Sequence, residues 1–348
     1  VTEEGGEGPS GKRLPKRRVA LLMGFCGTGY HGMQVNPGAK TIESELFGAL
    51  VKAGAVSSDN ADNIQKIGFG RAARTDKGVH AAGQVVSFKM IIEDPEIVAK
   101  INEALPPAIR VWGFVRTPNS FNAKNLCGSR IYEYLLPTHV FLPPRPKPDQ
   151  VPDIKEAGPL RSSPADMAQR RAYRIDTATL TSVREALQQY VGTHNYYNFT
   201  IQKKFNDPSA KRVIKSFECS EPMLLADDTE WVSLKIHGQS FMMHQIRKMV
   251  ALVILLVRSS LPLDLIRRCM TADRVNIPKA PSLGLLLDQV VYDGFNKRAA
   301  TEDRPVIKFD PYLAEIEAFK RQYIYEPLVQ EELRDDVFDS WLLFYEAF

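Results

Sequence analysis

No stretch of this chain is long and apolar enough to span a bilayer. The most continuous apolar run, Met249 to Val257, is bracketed by Lys248 and Arg258 and falls far short of the ~20 residues a membrane helix needs. No membrane partner is expected. Cysteine is scarce: Cys26, Cys127, Cys219 and Cys269 are the only ones in 348 residues, too scattered for a metal-ligand cluster and too few for a disulfide framework. A reducing compartment and the absence of a bound metal follow as expectations. Neither sign of charge dominates, since 45 Lys and Arg face 41 Asp and Glu for a net +4. That balance permits a polyanionic partner without demanding one, so the placement of the cations must decide. The glycine-dense stretch Gly27 to Gln34 lacks the Gly-Lys-Ser/Thr ending of a nucleotide-binding loop, which excludes that chemistry.

With 44% hydrophobic and 25% charged residues the chain has the composition of a folded globular protein. It is long enough for two domains or one large composite domain. Its most informative stretch is Gly70 to Phe88, which sets Asp76 among three cations, Arg71, Arg74 and Lys77. Lys77-Gly78 supply turn chemistry, and Val85 to Phe88 read as a short apolar strand bounded by Gly83, so Asp76 is placed on a loop just ahead of a sheet. Arg74 stands within reach of a charge-assisted contact that would keep the carboxylate ionised. An ionised, oriented Asp serves as nucleophile or general base. A carboxylate that caps its own turn is the commoner use of Asp beside Lys-Gly.

Val1 to Pro15 shows no apolar periodicity and reads as a disordered tail. It runs into the basic cluster Lys12 to Arg18, which suits a nuclear address, a phosphate-binding arm or a solvated edge; residues 1–18 are taken together as a basic tail. Val19 to Phe25 is a strand, and Gly27 to Gln34 a turn that lets backbone approach an RNA or the Asp76 loop. Thr41 to Lys52 and Ile97 to Leu105 are helices, and Ile109 to Val115 is a return strand. Residues 19–116 therefore form one half of an α+β core. Residues 117–295 form the second half. There Ser129 to Pro137 alternates as a strand with Arg130, Tyr132 and Tyr134 on one face, either a wall for a flat base or an aromatic ladder. Pro143 to Met167 is an insertion outside the sheet, and Thr179 to Val191 is a helix. Lys203, Lys204, Lys211, Arg212 and Lys215 make a solvated basic face or a track for an RNA backbone. Trp231 to Ile236 is a strand, and Phe241 to Val250 opens an apolar helix on which Arg247 is costly without a carboxylate partner. Residues 296–348 add two helical stripes, Leu313, Ile316, Phe319 and Tyr323, then Val337, Trp341, Leu342 and Tyr345.

The run Ala73-Arg74-Thr75-Asp76-Lys77-Gly78-Val79-His80-Ala81 with Gly83-Gln84-Val85 resembles the active-site loop of the TruA-like tRNA pseudouridine synthases. Tyr30-His31-Gly32-Met33-Gln34, the Arg-x-Tyr-x-Tyr spacing of Arg130, Tyr132 and Tyr134, the Thr193 to Thr200 segment and Ala280-Pro281-Ser282-Leu283-Gly284-Leu285 resemble further elements of that family, in its order. The extensions at both ends resemble the eukaryotic, fungal members.

This resemblance implies an α+β fold: a two-half catalytic core of mixed, mainly antiparallel sheets flanked by helices, with a C-terminal helical extension. It implies Asp76 as nucleophile, Tyr132 against the target base with Tyr134 as alternative, Arg247 paired with Asp76, and His244 as a supporting group. Leu285 or Leu287 would wall a uracil pocket. Arg71, Arg74, Lys77, Lys203, Lys204 and the pair Lys320-Arg321 would meet RNA. The implied reaction converts uridines of tRNA, and of other structured RNAs, to pseudouridine without cofactor or metal. The resemblance and the basic cluster together imply a nuclear protein, and the C-terminal extension a monomer. The rival is a non-catalytic RNA-binding module, since Lys66 to Gly70 faintly resembles an RNP1 segment. Such a module has no use for a carboxylate amid a cationic RNA surface.

Overall fold

Strand β1 (Lys16–Phe25) is apolar without interruption from Val19 onward and fully buried there, the pattern of a strand covered on both faces. In the computed structural model, which describes residues 14–146, 160–225 and 228–347, it lies near one end of a continuous ten-stranded sheet. The other strands are β2 (Gly70–Arg71), β3 (His80–Ile91), β4 (Ile109–Arg116), β5 (Ser129–Pro137), β6 (Gly192–Asn195), β7 (Lys211–Cys219), β8 (Met223–Leu224), β9 (Glu230–Gly238) and β10 (Leu285–Val291). Their order is β4-β1-β3-β10-β5-β9-β7-β6, with β2 beside β3 and β8 beside β9. The pairings are antiparallel except that of β3 with β10, where Leu286 faces His80 and Leu287 faces Ala81. The two sequence halves meet at that parallel pair. The expected mixed, mainly antiparallel α+β core is what forms.

Helix α1 (Ile42–Lys52) starts at a capping box between Thr41 and Ser44, which satisfies backbone donors that a helix N-terminus leaves open. It is followed by α2 (Ile97–Ala104), α3 (Pro164–Arg171), α4 (Thr177–Gln188), α5 (Gln245–Arg258), α6 (Leu265–Arg268), α7 (Asp293–Thr301) and α8 (Leu313–Phe319). A π-helical turn, Lys320–Tyr325, leads into α9 (Glu326–Asp335) and α10 (Val337–Ala347). Helix α5 buries Ile246, Met249, Val250, Val253 and Ile254, and the core runs unbroken from β1 to α10.

Several local expectations change. Strand β3 is longer than Val85 to Phe88, because Gly83 is an approach point and not a boundary: a Cβ there would lie 2.5 Å from the Asp288 carbonyl oxygen. The basic tail is shorter at its end than expected. Lys16 already pairs with Ile91, and Arg18 is a staple, donating to the carbonyls of Phe121 (3.0 Å) and Gly68 (2.7 Å) and to Ser87 Oγ (3.1 Å). The tail through residue 13 lies outside the described residues. Lys66 and Ile67 sit in a short 3₁₀ turn and only Gly70 of that stretch enters a strand, so the RNP1 likeness does not lie along a strand. Residues 147–159 of the expected insertion also lie outside the described residues. At its near end, Arg145 bonds to Glu346 (2.8 Å) and to Asp339, and so fastens α10 to the core.

The C-terminal stripes shift in phase. Ile316 and Phe319 are buried as expected, but Leu313 and Tyr345 are exposed, and the buried face of α10 is Phe338 and Leu342. The π-helical turn changes the helical period, and Asp336 at φ 47° breaks α9 from α10. Lys320, four residues on from Ile316 and next to Phe319, lies on the same buried face. Only 1% exposed, its Nζ lies 2.6 Å from Glu133 and 2.8 Å from Asp288, so the expectation that it meets RNA is corrected. Arg321 remains exposed.

Candidate active site

The Asp76 loop is held from below by backbone. Gly27 and Gly32 let the Gly27–Gln34 turn press against it, since a Cβ would stand 2.3 Å from the Val79 carbonyl oxygen at Gly27 and 2.8 Å from that of Thr75 at Gly32. Met33 N then donates to Thr75 O (3.2 Å) and Gly78 N to Tyr30 O (3.3 Å). The turn thus approaches the loop itself. His80 Nδ1 accepts from Gly27 N at 3.1 Å, and burial pushes this imidazole down to about 4, keeping it neutral and able to accept. Buried Gln84 clasps the start of the loop, accepting from Ala73 N (3.2 Å) and donating to Ala73 O (2.9 Å).

Above this scaffold opens a cleft of about 360 Å³, at the seam where β3 meets β10. The loop contributes Arg74, Asp76 and Lys77, strand β5 contributes Tyr132, the start of β10 contributes Leu285, and the entry to α5 contributes Phe241, His244 and Arg247. Asp76 is exposed at the rim. The Tyr132 ring stands edge-on to Phe241, with centroids 5.2 Å apart and planes at 84°. Burial pushes the Tyr132 phenol up, with Asp76 adding to the effect and Arg130 opposing it, so the hydroxyl stays protonated. Leu285 reaches the cleft, whereas Leu287 is fully buried in the core.

Three expectations are revised here. Tyr134 does not line the cleft: it is fully buried and donates its hydroxyl to the Pro281 carbonyl at 2.6 Å. Arg247 makes no direct ion pair with Asp76. Its Nε donates to the Ala280 carbonyl at 2.7 Å, and burial lowers its pKa while the Asp76 carboxylate opposes that at longer range. Because Asp76 is exposed, water already solvates it and no buried carboxylate calls for a partner. Arg74 is exposed, and among the described residues no ion pair joins it to Asp76 either.

The remaining candidates sit around the cleft. Burial and the nearby Lys279 and Arg247 charges lower the His244 pKa, against Asp76. Its φ of 63° closes the turn before α5. Arg71 is bound to buried Glu43 (Nη2 to Oε2, 2.9 Å) and faces a neighbouring groove. Lys203 pairs with Asp207 at 2.8 Å, while Lys204 is exposed. Both lie outside the cleft, on a loop tied to its mouth by Thr200 Oγ1 donating to Met243 O at 2.9 Å. Sequence reasoning missed Phe241 and Met243 as cleft residues. It ran them into the helix, and no local pattern announces that a left-handed His244 delays α5 to Gln245. Among the described residues no group of three or more His, Cys, Asp or Glu is arranged to hold a metal ion.

Residues 186–293 match the sequence profile of a family described as tRNA pseudouridine synthase. Over nearly all of its length the chain is similar to curated proteins. It is 45% identical to tRNA pseudouridine synthase 1 of Yarrowia lipolytica, over 97% of this chain and 75% of that protein. It is 42% identical to tRNA pseudouridine synthase 1 of Saccharomyces cerevisiae, over 100% and 74%. It is 41% identical to the pseudouridylate synthase 1 homolog of Mus musculus, over 95% and 74%. With a cleft that gathers Asp76, Tyr132 and Leu285 at one seam, the chain belongs to the TruA-like tRNA pseudouridine synthases.

Proposed function

We propose that the chain converts uridines of tRNA to pseudouridine, in keeping with the names of its relatives. The observation that carries this reading is the meeting of Asp76, Tyr132 and Leu285, from separate strands and loops, in one cleft. The reaction is an isomerisation. The N1–C1′ bond breaks, the uracil turns in place, C5 bonds to C1′, and the proton lost from C5 is balanced by one gained at N1. It needs a nucleophile or base beside the sugar and ring, a flat apolar wall along which the base can turn, and a nucleotide swung out of its stack. We assign the first part to Asp76, which reaches the rim on a loop held by fixed backbone contacts. Tyr132, Phe241 and Leu285 are the wall, and the protonated Tyr132 hydroxyl is placed to donate a hydrogen bond to the base. Arg247, anchored to the Ala280 carbonyl, brings a fixed positive charge toward Asp76 and toward any charge that develops on the uracil.

Swinging a nucleotide out costs a few kcal/mol. Stacking and phosphate contacts from Arg74, Lys77, Lys204 and the neighbouring groove offset it. The same contacts suit other structured RNAs. A monomer is the reading we favour, supported by C-terminal helices that bury the back of the sheet, and sedimentation would test it. A nuclear location has the support of exposed Lys16 and Arg17, and imaging of the tagged protein tests it.

The deciding experiment incubates an unmodified tRNA transcript with the wild-type chain and with Asp76→Ala, adds no cofactor, and quantifies pseudouridine in the digested RNA. Product from the wild type alone is expected. No product from either protein, with tight RNA binding by both, would favour the binding module.

A further inference from the structure

Beside the cleft lies a second groove of about 680 Å³, which shares Arg74, Tyr132 and Phe241 with it. Its lining carries four cations, Arg71, Arg74, Lys124 and Arg130, and four amides, Gln34, Gln65, Asn122 and Asn125, with no carboxylate among them. Two of the cations are rigid: Arg71 is gripped by Glu43, and Arg130 Nη2 donates to the Ala72 carbonyl at 3.0 Å. Arg74 and Lys124 are exposed. Phe69 supplies an aromatic surface. Its ring stacks on buried Phe88, with centroids 5.7 Å apart and planes at 17°, and lines the groove. Asn122 Oδ1 accepts from the backbone of Lys124 and Asn125, both at 3.0 Å, which fixes the loop carrying all three.

We infer that this groove holds the nucleotide next to the extruded uridine, its base against Phe69 and its phosphate along Arg74 and Lys124. The inference rests on assigning the adjoining cleft to the uridine. An aromatic face, exposed cations and amides are what a single-stranded nucleotide requires: stacking for the base, counter-charge for the phosphate, and donors and acceptors for the base edge. The position of the groove supplies the rest, because Arg74 and Tyr132 border both sites and a nucleotide in one continues directly into the other. The amides make the groove selective, so turnover depends on which base neighbours the target.

The test uses a short RNA with one target uridine, either intact or with an abasic ribonucleotide at its 5′ or its 3′ neighbour. Binding and turnover are measured for the wild-type chain and for Phe69→Leu, which keeps an apolar contact on Phe88 but removes the flat face. Intact RNA is expected to bind Phe69→Leu roughly 5- to 150-fold more weakly, the range of one base–aromatic stack. Removing the base at one neighbour should weaken wild-type binding similarly, and that abasic RNA should bind wild type and variant alike. The loss should appear in KM more than in kcat. Additive losses at both neighbours, or none, overturn the inference. If Phe69→Leu does not fold, as judged by its melting curve, the exposed pair Gln65→Ala and Asn125→Ala takes its place in the same cycle, with non-additivity again required. Pseudouridine formed with purely additive binding would overturn the groove alone. Non-additive binding with no product from the wild type would support the groove and overturn the activity.

Discussion

The two faces of β5 treat charge in opposite ways. On the front, Tyr132 looks into a cleft whose Arg74, Asp76 and Lys77 are exposed. On the back, the next residue, Glu133, is sealed: its carboxylate accepts from Ser233 Oγ (2.6 Å) and Tyr325 Oη (2.5 Å) and lies 2.6 Å from Lys320 Nζ. Lys320 also reaches Asp288 on β10. Burial works against its charge, but the two carboxylates outweigh that and hold it protonated. A charge kept in water costs little and stays available to a substrate, while a charge taken out of water must be paired where it lies. The front is built to receive a partner, and the back is closed by one the chain supplies itself, its own C-terminal extension.

The contrast is sharpest in activity. Asp76→Ala should abolish turnover while RNA affinity and melting temperature stay near wild type; pseudouridine in the digest, together with a binding isotherm, checks both, and retained turnover removes Asp76 from the mechanism. On the back, Lys320→Met leaves Glu133 buried without its cation, while Asp288 keeps Lys235 at 3.4 Å, and should cost about 3–5 kcal/mol in urea unfolding. Adding Glu133→Gln should recover part of that loss. A Lys320→Met chain as stable as wild type would break the comparison.

A third effect is a pH slope. Burial pushes the Glu332 carboxyl from 4.5 up to about 8, with Asp336 and Asp339 adding to the shift and the Phe338 N–H opposing it. The native chain therefore binds more protons than the unfolded chain between those values. Its contribution to stability is complete below about 4.5 and is lost as pH rises through about 8. Denaturant midpoints across that window should fall with pH for the wild type and flatten in Glu332→Gln; parallel slopes would discount the carboxyl. The smallest expected effect separates the two tyrosines. Tyr134→Phe should cost about 1 kcal/mol, by leaving the Pro281 carbonyl without its donor, and leave turnover intact, while Tyr132→Phe should lower turnover more than stability. Reversed outcomes would exchange their roles.

Much of the front was legible from residue chemistry and motif spacing. The Asp76 turn, the strand carrying Tyr132, the helix carrying Arg247 and the segment ending at Leu285 all lie close to where the pattern puts them. The expected Arg247–Asp76 contact was not formed, because the argument for it assumed a buried carboxylate and Asp76 is exposed. The back was far less legible. Lys320 sits in a Lys-Arg pair that the family resemblance assigns to RNA, yet four residues on from Ile316 it falls on the buried face of its helix, where Glu133 and Asp288 meet it. Gly83 misled for a related reason: a glycine that ends a strand and one that lets another strand approach are alike until the neighbour is known.

Local chemistry alone settled the apolar run of β1, the capped start of α1, the alternation of β5 and the placement of Asp76 on a loop before a strand. Each depends on periodicity, capping and turn preference within a few residues. The assembled molecule decided that β3 pairs in parallel with β10, which brings Asp76, Tyr132 and Leu285 to one cleft, and that Glu133, Asp288 and Lys320 meet behind it. Those contacts join residues far apart in the chain, and what selects them is the burial of both sheet faces and the pairing of Lys320 with the carboxylates of Glu133 and Asp288 behind them.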